Sequence, residues 1–383
     1  MSLKTPIIID LGSYEIKTGF RSNNFFPSTS FLSYIGEPKY DKIIRPINIH
    51  KNGRKEQFVG DNCNPYLGIL KLRFPIKHGA FTNERDIPLI FNHIFKKLGF
   101  GQDQNHDQDK IQDHPLLITE PLLNPKDNRD KISEILFEKY NISSLIFGSQ
   151  PPLSLFSLSS TTGVVLESGE GVSQICSIID GYAIPSSFIR SNFGGGDINE
   201  YLGQLLKMKG VELLSDTEKL ILHEIKKKCV SYQIKDNKIE EEKKDTYRLP
   251  DSRIIQLDQR EYFASKVMFT PSLVGKNYLG LHHMIVTCIE KVNTELRERL
   301  CNNIKLTGGN CLIKNMSQVM HTELHDMLKK YKGANIKLNL NNCTITAWNG
   351  GNIITGLGIF KDLLITKKDW EEKGKDIVHK KTF

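Results

Sequence analysis

Two rhythms of apolar and polar residues run through this chain. One is a short aliphatic run that ends on an acid and a glycine-bearing turn, and it occurs twice: Ile7-Ile8-Ile9-Asp10-Leu11-Gly12-Ser13 and Val164-Val165-Leu166-Glu167-Ser168-Gly169-Glu170. Each copy reads as a buried strand that carries a carboxylate to its tip and then reverses over a glycine, freeing backbone N–H groups for phosphate oxygens. Two such turns facing each other would clamp one polyphosphate and its metal. A third turn, Leu306-Thr307-Gly308-Gly309-Asn310, offers another close backbone approach.

The second rhythm is helical. Ile87, Ile90, Phe91, Ile94, Phe95 and Leu98 recur at three- and four-residue spacing and predict an amphipathic helix over residues 84–98. Helices are also expected over 128–140, 216–234 and 282–300, and Gly194-Gly195-Gly196-Asp197 should open one that runs to Met208. Strands are expected as a hairpin over 6–20, at 116–120, 173–178 and 182–189, and late at 333–340. Residues 39–57 and 101–113 are polar enough to be exposed loops. Strands alternating with helices indicate an α/β protein of two similar halves with a nucleotide cleft between them. The second half begins near residue 150.

Length supports more than one domain, since 383 residues compare with roughly 150 per domain. Net charge is 52 − 44 = +8. The positives are spread among acids, as where Lys226-Lys227-Lys228 and Lys243-Lys244 lie near Glu240-Glu241-Glu242, so a mixed-charge surface is expected rather than a nucleic-acid footprint. No stretch approaches the about 20 apolar residues of a membrane span, and no signal peptide is evident, so cytoplasm or nucleus is the expected location. Seven scattered cysteines without a C-x-x-C pair read as reduced thiols. The histidines form no H-E-x-x-H, and the neighbours His282 and His283 should point different ways on a helix.

Further fragments run nearly end to end in a characteristic order: Lys17-Thr18-Gly19-Phe20, Phe58-Val59-Gly60-Asp61, Phe74-Pro75-Ile76-Lys77-His78-Gly79, His114 to Glu120, Leu123 to Arg129, Asp180-Gly181-Tyr182-Ala183-Ile184-Pro185 and Trp348-Asn349-Gly350-Gly351. With the two phosphate turns, they resemble the actins and actin-related proteins. The resemblance implies a ribonuclease H-like, duplicated α/β fold that holds ATP or ADP with Mg2+ or Ca2+. Its first half would take residues 1–149 and 350–383 with a loop subdomain near 38–75, and its second 150–349 with a small helical subdomain near 195–275. Within the family, the extra charges over Lys235–Lys244 and the closing Lys381-Thr382-Phe383 look most like the actin-related subunit of dynactin's short filament. Gly12-Ser13-Tyr14 is instead similar to a nuclear actin-related protein of chromatin-remodelling complexes. A divergent conventional actin is the remaining alternative within the family, and a sugar kinase is disfavoured for want of a sugar pocket.

By that resemblance Asp10, with Glu167, holds the metal through water, and Lys17 neutralises the β- and γ-phosphates. Gln150 orients the lytic water. The nucleotide contacts implied are Gly12, Ser13, Tyr14, Glu170, Gly171, Val172, Gly195, Lys226, Lys227, Gly308, Gly309, Asn310 and Ile313. Departures from the family pattern carry chemistry. Glu167 and Glu170 stand for shorter aspartates, Tyr14 for a glycine, Lys227 for a ribose-binding glutamate and Thr344 for a lysine near the base. Gln174 replaces a histidine beside the attacking water, and an amide cannot act as a base near neutral pH, so weak ATPase activity at most is expected.

The resemblance also implies head-to-tail self-association into short filaments, together with actin-related and other dynactin subunits in microtubule-based transport. A cytoplasmic, cytoskeletal or centrosomal location goes with it, and a nuclear one with the chromatin alternative. In such assembly the loop bearing Ile43, Ile44 and Ile47 enters a groove lined by Phe156, Leu357 and Phe360, with an apolar plug at Phe269–Val274 as a second contact. Neither direct nucleic-acid contact nor membrane insertion is expected.

Overall fold

The computed structural model describes residues 4–39, 50–51, 54–100, 110–213, 215–234, 245–331 and 343–381. The apolar loop residues Ile43, Ile44 and Ile47, the 101–109 insertion, the charged 235–244 segment, the late strand expected at 333–340 and the terminal Thr382 and Phe383 lie outside these residues. Two units make up the chain: Met1–Ser160 with Ile345–Phe383, and Thr161–Thr344.

The first unit is built on a six-stranded sheet in the order Ile365–Thr366, Ser144–Ser149, Leu116–Glu120, Ile7–Leu11, Glu15–Phe20, Thr29–Leu32. Its three central strands are parallel, and the outer ones run antiparallel. The run Ile7–Leu11 is buried at every position, because helices cover both faces of the sheet. Ile7 and Ile9 pack towards the Ile87–Lys97 helix, whose Ile90, Phe91 and Ile94 are fully buried. Ile8 points the other way, towards Leu117, Leu153 and Trp348. The apolar spacing read at 84–98 is therefore one face of a helix on one layer of an α/β sandwich.

The second unit repeats the plan. Tyr182–Ala183, Ser173–Ile179, Gly163–Ser168 and Ile304–Thr307 lie in that order, with Ile189–Ser191 also paired to Ser173–Ile179. Gly163–Ser168 is antiparallel to its successor and parallel to Ile304–Thr307, as Ile7–Leu11 is to its own successor and to Leu116–Glu120. Helices Gly195–Met208, Asp216–Cys229, Leu281–Glu290 and Met316–Leu328 bury one stripe each in this unit's core.

Several readings depart from the sequence expectation. The helix expected over 216–234 ends at Cys229, because Val230 turns extended and Ser231 bridges Lys314. The strand expected over 182–189 breaks after Ala183: Pro185 starts a 3-10 turn, held because Ser187 Oγ donates to Ile184 O at 2.7 Å and accepts from the Ser177 N–H at 2.9 Å. The helix expected over 282–300 is two helices, Leu281–Glu290 and Thr294–Cys301. The break is stabilised by Arg297, whose guanidinium donates to Val292 O at 2.8 Å and Glu290 O at 2.7 Å, satisfying carbonyls that a continuous helix would bond internally. The rings of His282 and His283 do not diverge: their centroids are 3.9 Å apart at the start of the first of these helices, with His282 stacked on Phe269. All seven cysteines are free thiols, and six are buried. Among the described residues no helix is long and apolar enough to cross a membrane.

Candidate functional site

Register makes the two sequence copies equivalent in space. In the first unit Asp10 pairs with Lys17 on the following strand and with Thr119 on the parallel neighbour. In the second unit Glu167 pairs with Gln174 and Thr307 in the same two directions. Each unit thus places a carboxylate, a polar partner and a threonine hydroxyl side by side at one sheet edge, where the strand gives way to the turn.

In the first unit these groups are closely bonded. Asp10 is 5% exposed and accepts from Thr119 Oγ1 and, at 3.1 Å, from Gln150 Nε2, while Lys17 Nζ stands 3.6 Å from its other oxygen. Lys17 also reaches Glu15 at 3.5 Å, so the buried ammonium is shared between two carboxylates. Ser13 Oγ accepts from the Gly79 N–H at 3.1 Å, which ties the turn to the Gly79 loop. Gly12 has no room for a side chain, because an added Cβ would overlap the Glu15 carbonyl oxygen. Tyr14, half-buried, takes an ordinary negative φ and accepts from the Ser33 N–H through its carbonyl at 2.7 Å.

In the second unit the geometry differs because the acid is longer. Glu167 lies 3.5 Å from the Gln174 amide, itself 2% exposed, and the Thr307 hydroxyl is buried without a hydrogen-bond partner among the described residues. The longer Glu167 carboxylate makes no hydrogen bond to the Thr307 hydroxyl, whereas the shorter Asp10 engages Thr119 at the equivalent place.

Glu170, at the tip of the same turn, is the best-held charge in this unit. Its carboxylate accepts from Lys226 Nζ at 2.8 Å and Asn199 Nδ2 at 2.8 Å, and His223 Nδ1 lies 3.8 Å away. Burial by itself would raise this carboxyl. The buried Lys226 ammonium, followed by His223, outweighs it and brings the group down to about 2. Lys226 also donates to the Gly195 carbonyl at 2.9 Å, the Gly195 N–H donates to Gly169 O at 2.9 Å, and Asn310 Nδ2 bonds Gly169 O at 2.8 Å and Ser168 Oγ at 3.0 Å. The expected residues Glu170, Gly195, Lys226 and Asn310 therefore form one cluster. Gly171 and Ile313 are half-buried beside it in sequence, Val172 and Gly308 are buried, and Gly309 and Lys227 are exposed. Lys226 and Lys227 are helix neighbours, so one points inward and the other to solvent.

Gly195 stands directly against the Glu170–Lys226 ion pair. An added Cβ would stand 2.5 Å from Glu170 Oε2, 2.7 Å from Asn310 Oδ1 and 2.8 Å from Lys226 Nζ. Gly195→Ala is expected to pry the ion pair apart and cost about 1–3 kcal/mol. Chemical denaturation would register this as a lowered midpoint with an unchanged slope, and an unchanged midpoint would rule the crowding out.

Sequence reasoning missed Thr119, Glu15, Asn199, His223 and Thr307. Thr119 and Thr307 carry a faint signal, a hydroxyl closing an otherwise apolar strand. Asn199 and His223 carry none, since only the packing of two helices brings them to Glu170. Of the residues expected to line an assembly groove, Leu357 is 48% exposed, Phe156 is half-buried, and Phe360 is 2% exposed inside the cluster of Ile8, Leu117 and Trp348. Phe269, of the apolar plug, is packed edge-on against Tyr232.

Each unit's turn carries groups of the kind that suit phosphate oxygens or a hard cation. The first has a buried carboxylate beside a buried ammonium; the second has a buried ammonium and, among the described residues, a hydroxyl without a hydrogen-bond partner and nothing within 4 Å of a Cβ built on Gly309. A duplicated strand–turn–strand plan with acids at both tips belongs to the actin-type proteins, and the Actin family profile matches residues 2–383, so the chain belongs to that family. Among curated proteins it is similar to centractin of Saccharomyces cerevisiae, at 36% identity over 376 residues that cover 96% of this chain and 94% of that one.

Proposed function

We propose that this chain is a subunit of a short, dynactin-type filament that holds ATP or ADP with Mg2+ or Ca2+ and hydrolyses it slowly, if at all. The observation that carries the nucleotide part is the buried Asp10–Lys17–Thr119 group with the half-buried Gln150 bonded to it. In this reading Asp10 and Glu167 orient the water shell of a divalent ion, which when bound supplies charge neutralisation for the phosphates. Lys17 adds a fixed positive charge, and the backbone of the Gly12-Ser13-Tyr14 turn presents N–H donors. The Glu170–Lys226 pair fixes the second turn. Similarity to centractin over nearly the whole chain supports a dynactin-type assembly, with actin-related and other dynactin subunits as partners in dynein-driven transport on the cytoplasmic cytoskeleton.

Slow turnover rests on Gln174. It is buried against Glu167, and its amide can hold a water but takes no proton. Gln174→His is expected to raise phosphate release by about a hundredfold, the lower end of what general bases contribute. An unchanged rate in a variant that still binds nucleotide would remove Gln174 as the cause.

Negative-stain electron microscopy of the purified full chain with Mg-ATP tests the assembly part. Short filaments of limited length are expected. Protein that stays strictly monomeric at high concentration would overturn it and favour the non-filamentous, chromatin-associated alternative.

A further inference from the structure

The helix Met316–Leu328 has one face committed to the core of the second unit: Met316, Met320, Leu324 and Leu328 are all 1% exposed or less. The positions that follow two of these, His321 and His325, are exposed and one helical turn apart. Their imidazoles lie on the same side of the helix, ring centroids 6.2 Å apart and planes inclined by only 26°. Neither residue touches the turns described above.

We propose that His321 and His325 form a bidentate site for a borderline divalent transition-metal ion such as Zn2+. Two imidazoles at i and i+4 on a helix anchored by its opposite face are spaced for this. Nitrogen–metal bonds of about 2.0–2.1 Å in tetrahedral geometry put the two ring centroids roughly 5 Å apart, which a small side-chain rotation achieves from the observed separation. The second observation is the orientation of His325. Its Nδ1 lies 3.3 Å from Asp326 Oδ1, so Nδ1–H donates to the carboxylate and the Nε2 lone pair is left for a metal.

Other charges around the pair are mixed. Lys329 Nζ holds Asp326 Oδ1 at 2.6 Å and fixes the carboxylate beside His325. Glu323 is half-buried on the same helix, and Lys330 is occupied by Glu290. Among the described residues no third histidine, cysteine or carboxylate completes a cluster, so water fills the remaining coordination positions. Imidazole ligands favour Zn2+ over Mg2+, which separates this site from an oxygen-lined one for a nucleotide's metal.

Isothermal titration of the full chain with ZnCl2 in excess Mg2+ is the test, with an H321A/H325A double variant as the comparison. Alanine suits an exposed helix position, so the variant is expected to fold, with an unchanged melting temperature as the check. The wild type should bind one more Zn2+ than the double variant. Each single alanine variant should weaken that step at least about tenfold, and Asp326→Asn, which removes the orienting acceptor, by about tenfold. Equal Zn2+ stoichiometry in wild type and double variant overturns the site. An unaltered affinity in Asp326→Asn overturns the role given to the carboxylate.

Discussion

Lys226→Met is expected to destabilise the protein by about 3 kcal/mol and to remove most of its acid sensitivity between pH 4.5 and 2. The reason lies in Glu170. With its ordinary value at 4.5 and its folded value at about 2, the carboxylate is favoured in the native state by roughly 3 kcal/mol. The sign follows from the depression: the stabilisation is complete above pH 4.5, where the unfolded chain's carboxyl is also ionised, and it fades as pH falls towards 2. Removing the ammonium leaves a carboxylate whose remaining donor at close range is Asn199, at 2.8 Å, and breaking a buried pair from one side costs about 3–5 kcal/mol. Methionine keeps much of the lysine stem's packing, so the loss reads on charge rather than on a cavity. Thermal melts at pH 7 should show a drop of roughly 10 °C, given about 2–4 °C per kcal/mol for a unit of this size. Stability measured from pH 7 to pH 3 should fall less steeply in the variant than in the wild type. Parallel pH profiles would show that the pair does not hold Glu170 ionised.

If the proposed Mg-ATP site is correct, Asp10→Asn is expected to abolish the thermal stabilisation that Mg-ATP would give the wild type. A ligand that binds only the folded state, at a hundred times its dissociation constant, stabilises by about 2.7 kcal/mol. Asparagine preserves the size of Asp10 and an acceptor for Thr119, but it removes the charge that attracts a metal's water shell and that faces Lys17 at 3.6 Å. Glu15 at 3.5 Å still pairs Lys17, so the unliganded variant should melt close to the unliganded wild type. The difference should therefore appear in the nucleotide-dependent increment alone. Differential scanning calorimetry of both proteins, with and without Mg-ATP, separates the two effects. An equal increment in the variant would mean that Asp10 does not support metal–nucleotide binding.

Much of this architecture was legible in the order of residues. The repeated run of aliphatics, acid and glycine located both hairpins, because a strand buried on both faces must be continuously apolar and a polar residue within it marks its exit. The glycines before Asp197 located the start of a helix, since the Asp197 carboxylate accepts from the Gly194 N–H at 2.7 Å as the local pattern requires. The spacing of Ile87 to Leu98 likewise needs nothing distant to make a helix. Local chemistry was enough in each case, and there the reading and the structure agree.

It failed where a contact outside the simple helical or strand period decides. Pro185 is itself a strand breaker that the reading passed over, and the apolar spacing over 282–300 does not show that Arg297 folds back onto the Val292 and Glu290 carbonyls. The site divides in the same way. That Asp10, Lys17, Glu167 and Gln174 sit on paired strands follows from the turn between them, because antiparallel register after a tight reversal is set by the turn's length. That Thr119 reaches Asp10, that Glu167 passes Thr307 by, and that Lys226 crosses 56 residues to neutralise Glu170 follows only from parallel strand order and helix packing. Hydrogen bonds and charge pairs act over a few ångströms of space whatever the separation along the chain. The alternation of residues could therefore say which groups are polar and buried, while the assembled sheets and helices chose their partners.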